Sequence, residues 1–586
     1  MTVVSPVVTH LSPVLFSLRE EERTGLTRPQ TDAAQLIQSQ SPSSPHVGGQ
    51  ALSRIRKILL LLLAILPLVP PLLAIWLTPW FVTQDGPAHA YNAQVIAWNA
   101  DPASPFRDVY QVQWEPLPNW TGHLALAGLV RILPVRWADH LMTSLTLAGF
   151  ALSILWLRWR VAGWQGLPFA GLFAALLALN VSWLLGFNSF MLGACLFPVT
   201  LGYWWNHRDR LGPRHVLALW GLIILGYFSH LVSLGLTVIG LGVLSLFASG
   251  PKRWVRIGWT ALGMLPLLPL AWIYIGLTRR GGAMQPTWKH LPNPLSLSSW
   301  WHQATWVDPI TLAIKSALPF RASTASAFFL LSPVFAFLVF LLLEASATRK
   351  ARRVDDPARC HSERAGWGVL AALLLVGGFI CPDTLGESHG NYLPQRVVLL
   401  GLVALVPVLD FGVRSWLGRL AALALFWALT IQSAFVWEYA MTSSRQVGAV
   451  LAAKSAIGQN QRVATLLVGI PTRFRANPMV HADNLLGVDT GNVIWNNYET
   501  SHYYFPVQFK PTLDRPLPSV LEALALDNDP NGSARRASIW ERELEAHHQA
   551  IDSILVWGKD DDLDQITSRW FQSVFDRDNV RVFKRQ

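Results

Sequence analysis

The sequence is poor in charged residues. Asp, Glu, Lys and Arg make up 14% of its 586 residues, whereas an average soluble protein has about 25%. Hydrophobic residues account for 52% of the chain, and the mean hydropathy is +0.32. This composition does not fit an ordinary soluble domain; it indicates several membrane-spanning segments that are separated by polar loops.

Cysteine is also scarce, and some common binding motifs are missing. Cys195, Cys360 and Cys381 lie far apart, in or beside apolar segments, without a CxxC spacing. They therefore indicate neither a disulfide framework nor a zinc site. No glycine-rich loop of the GxxxxGK[ST] type is found, so nothing predicts binding of ATP or a nucleotide sugar by that route. We also find no internal repeat.

The net charge of +11 does not predict a nucleic-acid partner. Lys and Arg occur in short clusters between apolar runs, which is the pattern that the positive-inside rule gives to cytoplasmic loops. The 28 Trp residues suit the headgroup boundary, where an apolar ring carries one hydrogen-bond donor. The lipid bilayer is thus the expected partner, and no nucleic acid is expected.

The chain divides into three parts by composition. Residues 1–53 are rich in Ser, Pro, Thr and Gln, which predicts a disordered cytoplasmic tail. Residues 54–440 predict a polytopic α-helical membrane domain of about 11–12 transmembrane segments, with a first external loop at 81–119. Residues 445–586 predict a small C-terminal α/β extracytoplasmic domain, with strands at 462–469, 553–557 and 580–583 and a helix at 563–575.

The basic clusters orient the apolar runs. If the clusters are cytoplasmic, residues 278–325, 383–396 and everything after about 440 face the other side. Only the run at 120–134 is ambiguous, because about 15 residues are few for a membrane span. We favour the solution in which this run does not cross. The predicted runs are 58–80, 120–134, 138–157, 168–186, 189–205, 215–229, 231–249, 255–277, 326–345, 367–381, 397–412 and 417–437.

A polar motif follows the first apolar run directly. It reads Thr-Gln-Asp-Gly-Pro-Ala-His-Ala-Tyr-Asn over 83–92. If Pro87 opens a helix, Asp85 and His89 share one face of it, four residues apart. A role as the helix cap would account for Asp85 alone, but a carboxylate and a histidine at membrane depth are costly and usually have a function. We predict that both are catalytic.

Other candidates are less specific. Glu115 lies in the first external loop. Arg396 ends a predicted outer loop, where an arginine suits phosphate binding but also serves as an interfacial anchor. His389 and Tyr392 belong to the same loop, and His230 lies between two apolar runs. These five residues are the predicted substrate-binding residues. No metal site and no cofactor are expected.

A first transmembrane helix, an acidic residue just past its outer end and a long first external loop resemble the GT-C superfamily of membrane glycosyltransferases. The segment Asp85-Gly86-Pro87-x-His89 also resembles first-loop segments of bacterial proteins grouped there. The resemblance covers roughly 54–440. It implies that the protein takes a sugar from a polyprenyl-phosphate carrier, with Asp85 as general base and an unidentified acceptor. Many members have a paired acidic motif in this loop, whereas here Asp85 stands alone, which leaves a divalent metal in doubt.

Other functions remain open from the sequence. A transporter or flippase of a lipid-linked or small anionic solute would also have many spans, but it would be expected to carry repeats and mid-span charges. An enzyme of the O-antigen ligase or polymerase type would share the donor and have large external loops. A scaffold whose α/β domain binds a partner is a further alternative. On the leading hypothesis the protein lies in the plasma (inner) membrane with its N-terminus in the cytoplasm.

Overall fold

The structure is a computed structural model. It describes residues 47–164, 166–248, 250, 252–282, 284–293, 295–313, 333–339, 357–386, 390–527, 529 and 532–586. Contacts divide the chain into two units, Met1–Ile55 and Arg56–Gln586. Residues 1–46, which make up most of the tail predicted to be disordered, lie outside the described residues, while residues 47–53 are helical. Apart from the beginning of the first helix, the features below belong to the second unit.

Helices dominate up to residue 457. They are α1 (Val47–Ile65), α2 (Val69–Leu77), α3 (Gly86–Trp98), α4 (Trp120–Val130), α5 (Val135–Ala162), α6 (Leu167–Ala178), α7 (Val181–Leu184), α8 (Asn188–His207), α9 (Pro213–Ser229), α10 (Leu231–Phe247), α11 (Arg253–Gly263), α12 (Leu267–Thr278), α13 (Leu297–Val307), α14 (Pro357–Ile380), α15 (Leu393–Leu405), α16 (Trp416–Ala452) and α17 (Lys454–Ile457).

Several helices suit a membrane. Within the described residues, the stretches Arg54–Leu77, Val135–Ala162 and Trp416–Ile457 are long and apolar enough to cross a bilayer, and α11 with α12 forms a fourth candidate bent by 40°. Their outer faces are strongly apolar: Trp272 on α12 is 81% exposed. Exposed apolar surface on this scale suits lipid rather than water. The chain therefore has a helical membrane fold, while the predicted number of spans stays a prediction.

The predicted apolar runs are less regular in the structure. The run at 168–186 is divided into α6 and α7, where Asn180 accepts a hydrogen bond from the Trp183 amide and caps the second helix. The run at 120–134 gives only the 11 residues of α4, about half the length that a span requires. This agrees with the solution in which the segment does not cross. Most of the run at 326–345 lies outside the described residues.

The C-terminal part contains a mixed sheet. Its strands are β2 (Arg462–Leu467), β3 (Val493–Ile494), β5 (Ser553–Trp557), β6 (Phe571–Arg577) and β7 (Val580–Arg585), in the order β3-β2-β5-β7-β6. β2 is parallel to both β3 and β5, whereas β7 is antiparallel to both β5 and β6. Helices α18 (Pro518–Leu526), α19 (Ser533–His547) and α20 (Asp561–Thr567) accompany it. The strands predicted at 462–469, 553–557 and 580–583 are confirmed.

The helix predicted at 563–575 is only half right. α20 ends at Thr567, and residues 571–577 form β6. The reason is the tight turn at Asp578 and Asn579, which both have positive φ angles of 52° and 71°. Such a turn matches the twist of a two-stranded antiparallel hairpin, so β6 pairs with β7 instead of continuing the helix.

The first external loop is built into the C-terminal domain. Strand β1 (Tyr110–Val112) from the loop pairs with β4 (Val507–Phe509) in a separate two-stranded antiparallel sheet. The rings of Tyr110 and Phe509 stack with centroids 4.9 Å apart. Apolar residues of α3, α4 and the domain share one buried cluster. The loop and the domain therefore form one packed body beside the membrane helices.

Candidate functional site

Backbone contacts fix the segment that carries Asp85. The amides of Gln84 and Asp85 donate to the carbonyls of Leu184 and Leu185 at 3.2 and 3.0 Å. Gly186, which has a φ of +85°, follows directly, and a Cβ there would lie 3.0 Å from the Gly86 amide nitrogen. The close approach of these two glycine backbones holds the motif against the end of α7.

The helix that the motif predicted is present. α3 begins at Gly86, with Pro87 in its first turn, and the His89 amide donates to the Asp85 carbonyl at 3.0 Å. Asp85 occupies the cap position, but its side chain makes no capping hydrogen bond. Capping by the side chain therefore does not explain this carboxylate.

Most of the predicted site residues line one cavity of about 600 Å³. Asp85 and His89 line it from the first loop, His230 from the junction of α9 and α10, and Tyr392 and Arg396 from the start of α15. These residues are separated by up to several hundred positions in the sequence. Residues from the C-terminal domain complete the wall: His481, Tyr498, His502, Tyr503, Tyr504, Phe505, Glu522 and Leu526.

Arg396 is a buried cation of this cavity. Its Nη1 lies 3.0 Å from Nε2 of His230, and its guanidinium lies over the rings of Phe187 and Phe190 at 4.6 and 5.1 Å. Its Nε is buried without a hydrogen-bond partner. In the described part of the chain no carboxylate forms an ion pair with it. A buried, unneutralised guanidinium is costly unless an anion joins it.

Two predicted residues are not placed in the cavity. Glu115 is not among its lining residues; its carboxylate forms a two-fold contact with the exposed Arg280 at 2.5 and 2.9 Å. His389 lies outside the described residues. A role for either residue in substrate binding stays a prediction.

The Asp85 carboxyl is surrounded by aromatic and polar groups of the domain. Nε2 of His481 lies 3.8 Å from its Oδ1. Burial raises the pKa of Asp85 to about 6, although the charge on His89 and hydrogen bonds from Tyr498 and Gln84 oppose this shift. Burial, together with the charge on His89, lowers the pKa of His481 to about 3. Near neutral pH the site thus holds an ionised, basic carboxylate beside a neutral imidazole.

A second cluster adjoins the cavity. Glu499 bridges His89 and His123: its Oε1 lies 2.5 Å from Nδ1 of His89, and its Oε2 lies 2.8 Å from Nε2 of His123. Burial would raise the pKa of Glu499, but the two histidines lower it well below its ordinary value. The glutamate raises the pKa of His89 above its ordinary value despite burial. Ionised Glu499 is therefore stabilised by positive charge.

Sequence analysis did not identify the part that the C-terminal domain plays. Glu499, Tyr498 and Tyr504 belong to the segment Trp-Asn-Asn-Tyr-Glu-Thr-Ser-His-Tyr-Tyr-Phe at 495–505. The density of aromatic and polar side chains in this stretch is a signal that could have marked it. Asp139 was also missed: an added Cβ on Gly86 would lie 3.4 Å from its Oδ1, and this oxygen is buried without a partner.

The likeness to known proteins is found in structure and not in sequence. No protein-family model matches the sequence, and no curated protein matches it at the significance required. Among solved structures, the chain is similar to ArnT from Cupriavidus metallidurans bound to undecaprenyl phosphate. The TM-score is 0.49 at 11% identity, over 89% of this chain and 97% of that one. Neither the fold nor the activity of this chain follows from a likeness of this size.

Proposed function

We propose that this protein is a membrane glycosyltransferase that moves a sugar from a polyprenyl-phosphate carrier to an acceptor hydroxyl on the extracytoplasmic side. The observation that carries this proposal is the shared cavity: a carboxylate with a raised pKa and an unneutralised guanidinium both line it. The choice of a polyprenyl-phosphate donor rests on the resemblance of the first-loop motif. The protein would lie in the plasma (inner) membrane, with its N-terminus in the cytoplasm.

The proposed reaction is an inverting transfer. The acceptor oxygen attacks the anomeric carbon as its proton passes to Asp85, and the bond between the sugar and the phosphate oxygen breaks with its electron pair on that oxygen. A carboxylate with a pKa of about 6 is ionised at neutral pH and still basic enough to take the proton. Because the Asp85 carboxylate is buried, bulk water does not compete freely with the acceptor for hydrogen bonds to it.

The leaving group is a lipid phosphate, which gains negative charge as the bond breaks. The planar guanidinium of Arg396 can donate two parallel hydrogen bonds to phosphate oxygens, and its burial strengthens them. His230 contacts the guanidinium at 3.0 Å and positions it. Tyr392, next to this arginine in the cavity wall, supplies a hydroxyl for either the sugar or the phosphate.

His89 acts on Asp85 through its charge. Its Nδ1 already contacts Glu499, so it is not free to remove a proton from the acceptor at that atom. A positive charge one helical turn from Asp85 stabilises the ionised carboxylate, which keeps the base available at neutral pH. His89 is therefore proposed to tune the base and not to take the proton itself.

The test is the substitution Asp85→Asn in the full chain, purified in detergent. Transfer would be followed from a panel of polyprenyl-phosphate-linked hexoses and pentoses to native membrane components. Loss of a general base is expected to slow transfer by about 10²–10⁴-fold. Asp108→Asn, an exposed change in the same loop, is the matched control and should keep the wild-type rate. A folded Asp85→Asn protein that transfers sugar at the wild-type rate would remove the proposed base.

A further inference from the structure

The bridge around Glu499 brings three metal-ligand side chains together. One ligand atom from each of His89, His123 and Glu499 lies within 4.8 Å of the others. The side chains come from three separate elements: α3, α4 and the 3-10 turn Tyr498–Ser501 of the C-terminal domain. All three are buried, and Glu499 has no exposed surface. Two imidazoles and a carboxylate are a common ligand set for zinc and for other first-row divalent ions.

The hydrogen-bond arrangement leaves room for a cation between these groups. Nδ1 of His123 lies 3.3 Å from the carbonyl of Asn119, which can only accept. A neutral His123 that donates there presents the lone pair of Nε2 to Oε2 of Glu499, at 2.8 Å. Two acceptors at this distance repel each other. In this tautomer a second proton or a metal ion between Nε2 and Oε2 removes the repulsion, whereas in the other tautomer Nε2–H donates to Oε2 and the Nδ1 lone pair faces the Asn119 carbonyl at 3.3 Å.

The surroundings favour a metal over a proton. The contact between His123 and a backbone carbonyl is the outer interaction that ordinarily orients a metal-binding histidine and leaves its other nitrogen free to coordinate. The ring of Phe505 lies 5.6 Å from His123 and 6.2 Å from His89 and closes one side of the cluster. Such an apolar neighbour limits the access of water and strengthens the attraction between cation and carboxylate.

We propose that His89, His123 and Glu499 form a binding site for one divalent transition-metal ion, with zinc as the best match. Three protein ligands leave a tetrahedral ion with one open position. His89 also lines the cavity that contains Asp85, so a molecule in the cavity can reach the ion. The ion links two helices of the first loop to the C-terminal domain. The proposal does not depend on the transfer reaction, because it concerns metal binding alone.

The test uses the full chain in detergent, with any histidine tag removed. The protein is stripped with a chelator and titrated with Zn²⁺, and the bound metal is measured by mass spectrometry. We expect one equivalent per chain. Co²⁺ in place of Zn²⁺ should give visible absorption bands of a four- or five-coordinate ion, and X-ray absorption should place nitrogen and oxygen ligands at about 2.0–2.2 Å from zinc.

Three variants locate the site. His89→Gln, His123→Gln and Glu499→Gln should each weaken Zn²⁺ binding at least about tenfold, since loss of even an outer interaction has an effect of this size. His481→Gln is the matched control: this histidine is buried beside Asp85 but is not part of the cluster, and its variant should bind Zn²⁺ like the wild type.

The wild-type chain alone can overturn the proposal, so the test holds even if a variant fails to fold. A monodisperse wild-type chain that retains none of Zn²⁺, Co²⁺ or Mn²⁺ after desalting would show that the cluster is held by protons alone. Wild-type affinity in all three variants would also exclude it. Zinc bound with normal affinity by a chain that transfers no sugar would instead support this site and count against the proposed function.

Discussion

At the scale of single residues, the proposed chemistry depends on which buried carboxylate has a direct positively charged partner and which has none. Glu499 contacts two histidines directly, whereas Asp85 has no direct ion-pair contact apart from His481 at 3.8 Å. That histidine has a lowered pKa and is neutral at physiological pH. A carboxylate with close histidine partners, such as Glu499, is typical of a structural role. A buried carboxylate without a close cation, such as Asp85, is typical of a reactive one.

The first prediction concerns pH. Because the pKa of Asp85 is raised to about 6, the carboxyl is protonated below that pH and cannot accept a proton. Transfer by the wild type should fall about tenfold per pH unit below about pH 6 and level off above it. The measurement is a rate profile at saturating donor in the full chain.

The control for the profile is the Asp85→Asn variant, whose residual rate should not follow this titration. A wild-type rate that stays constant from about pH 5 to 7.5 would mean that the group with this pKa does not take part in the rate-limiting step.

At the scale of secondary-structure elements, the motif is held where α7 meets α3. A Cβ on Gly186 would lie 2.5 Å from Oγ1 of Thr83 and 3.0 Å from the Gly86 amide nitrogen, and the φ of +85° disfavours any side chain. Both effects push the loop that carries Asp85 away from α7. The position of the reactive carboxylate therefore depends on a glycine about a hundred residues later in the chain.

We predict that Gly186→Ala lowers stability by about 1–3 kcal/mol through strain and crowding and reduces transfer as well. Gly163→Ala is the control, because Gly163 has a φ of +70° but nothing within 4 Å of an added Cβ. Thermal unfolding of the two variants separates the effects. Equal losses in both would show that contact with the motif has no energetic consequence.

Two asparagines join α3 to the domain. Nδ2 of Asn92 donates to Oδ1 of Asn497 at 2.9 Å, and Nδ2 of Asn497 donates to Oδ1 of Asn92 at 2.7 Å. Both side chains are fully buried. Removal of one partner leaves the other amide unsatisfied, which costs more than removal of both.

Asn92→Ala should therefore lower the free energy of unfolding by about 1–3 kcal/mol. The double variant Asn92→Ala/Asn497→Ala should lose less than the sum of the two single variants, as measured in a double-mutant cycle. Additive losses would mean that the two amides do not stabilise each other across this contact.

At the scale of the whole molecule, the pairing of β1 with β4 fixes the sidedness of two distant regions. Because the first loop and the C-terminal domain share a sheet and a buried core, they must lie on the same side of the membrane. The short α4 fits this arrangement, since a full crossing after the loop is not made within its 11 residues. The absolute orientation stays a prediction from the basic clusters.

Single cysteines in a background without Cys195, Cys360 and Cys381 test the orientation. Asp108→Cys in the first loop and Asp514→Cys in the domain, both exposed, should react with an impermeant maleimide added outside the cell. Arg210→Cys, exposed between α8 and α9, should react only after permeabilisation. If Asp108→Cys and Asp514→Cys are labelled from opposite sides, the observed pairing of β1 and β4 is wrong.

The sequence by itself determined the class of architecture. Its apolar runs and its sparse charge indicate many lipid-facing helices, and short apolar runs predicted strands β2, β5 and β7. It also predicted Asp85, His89, Arg396, Tyr392 and His230 as site residues, because polar groups at the ends of apolar runs are costly; the structure places all five around one cavity. The local sequence was enough to predict these five residues, because each is a polar residue beside an apolar segment.

Only the tertiary structure decided which residues meet. The domain contributes Tyr498, Glu499 and His481 to the site, and none of them is unusual within its own stretch of sequence. Glu499 becomes a candidate metal ligand only because the fold brings it to His123, 376 positions earlier in the chain. Side-chain chemistry can be recognised locally, but charge balance, burial and metal-ligand geometry depend on distances between segments that only the folded chain sets.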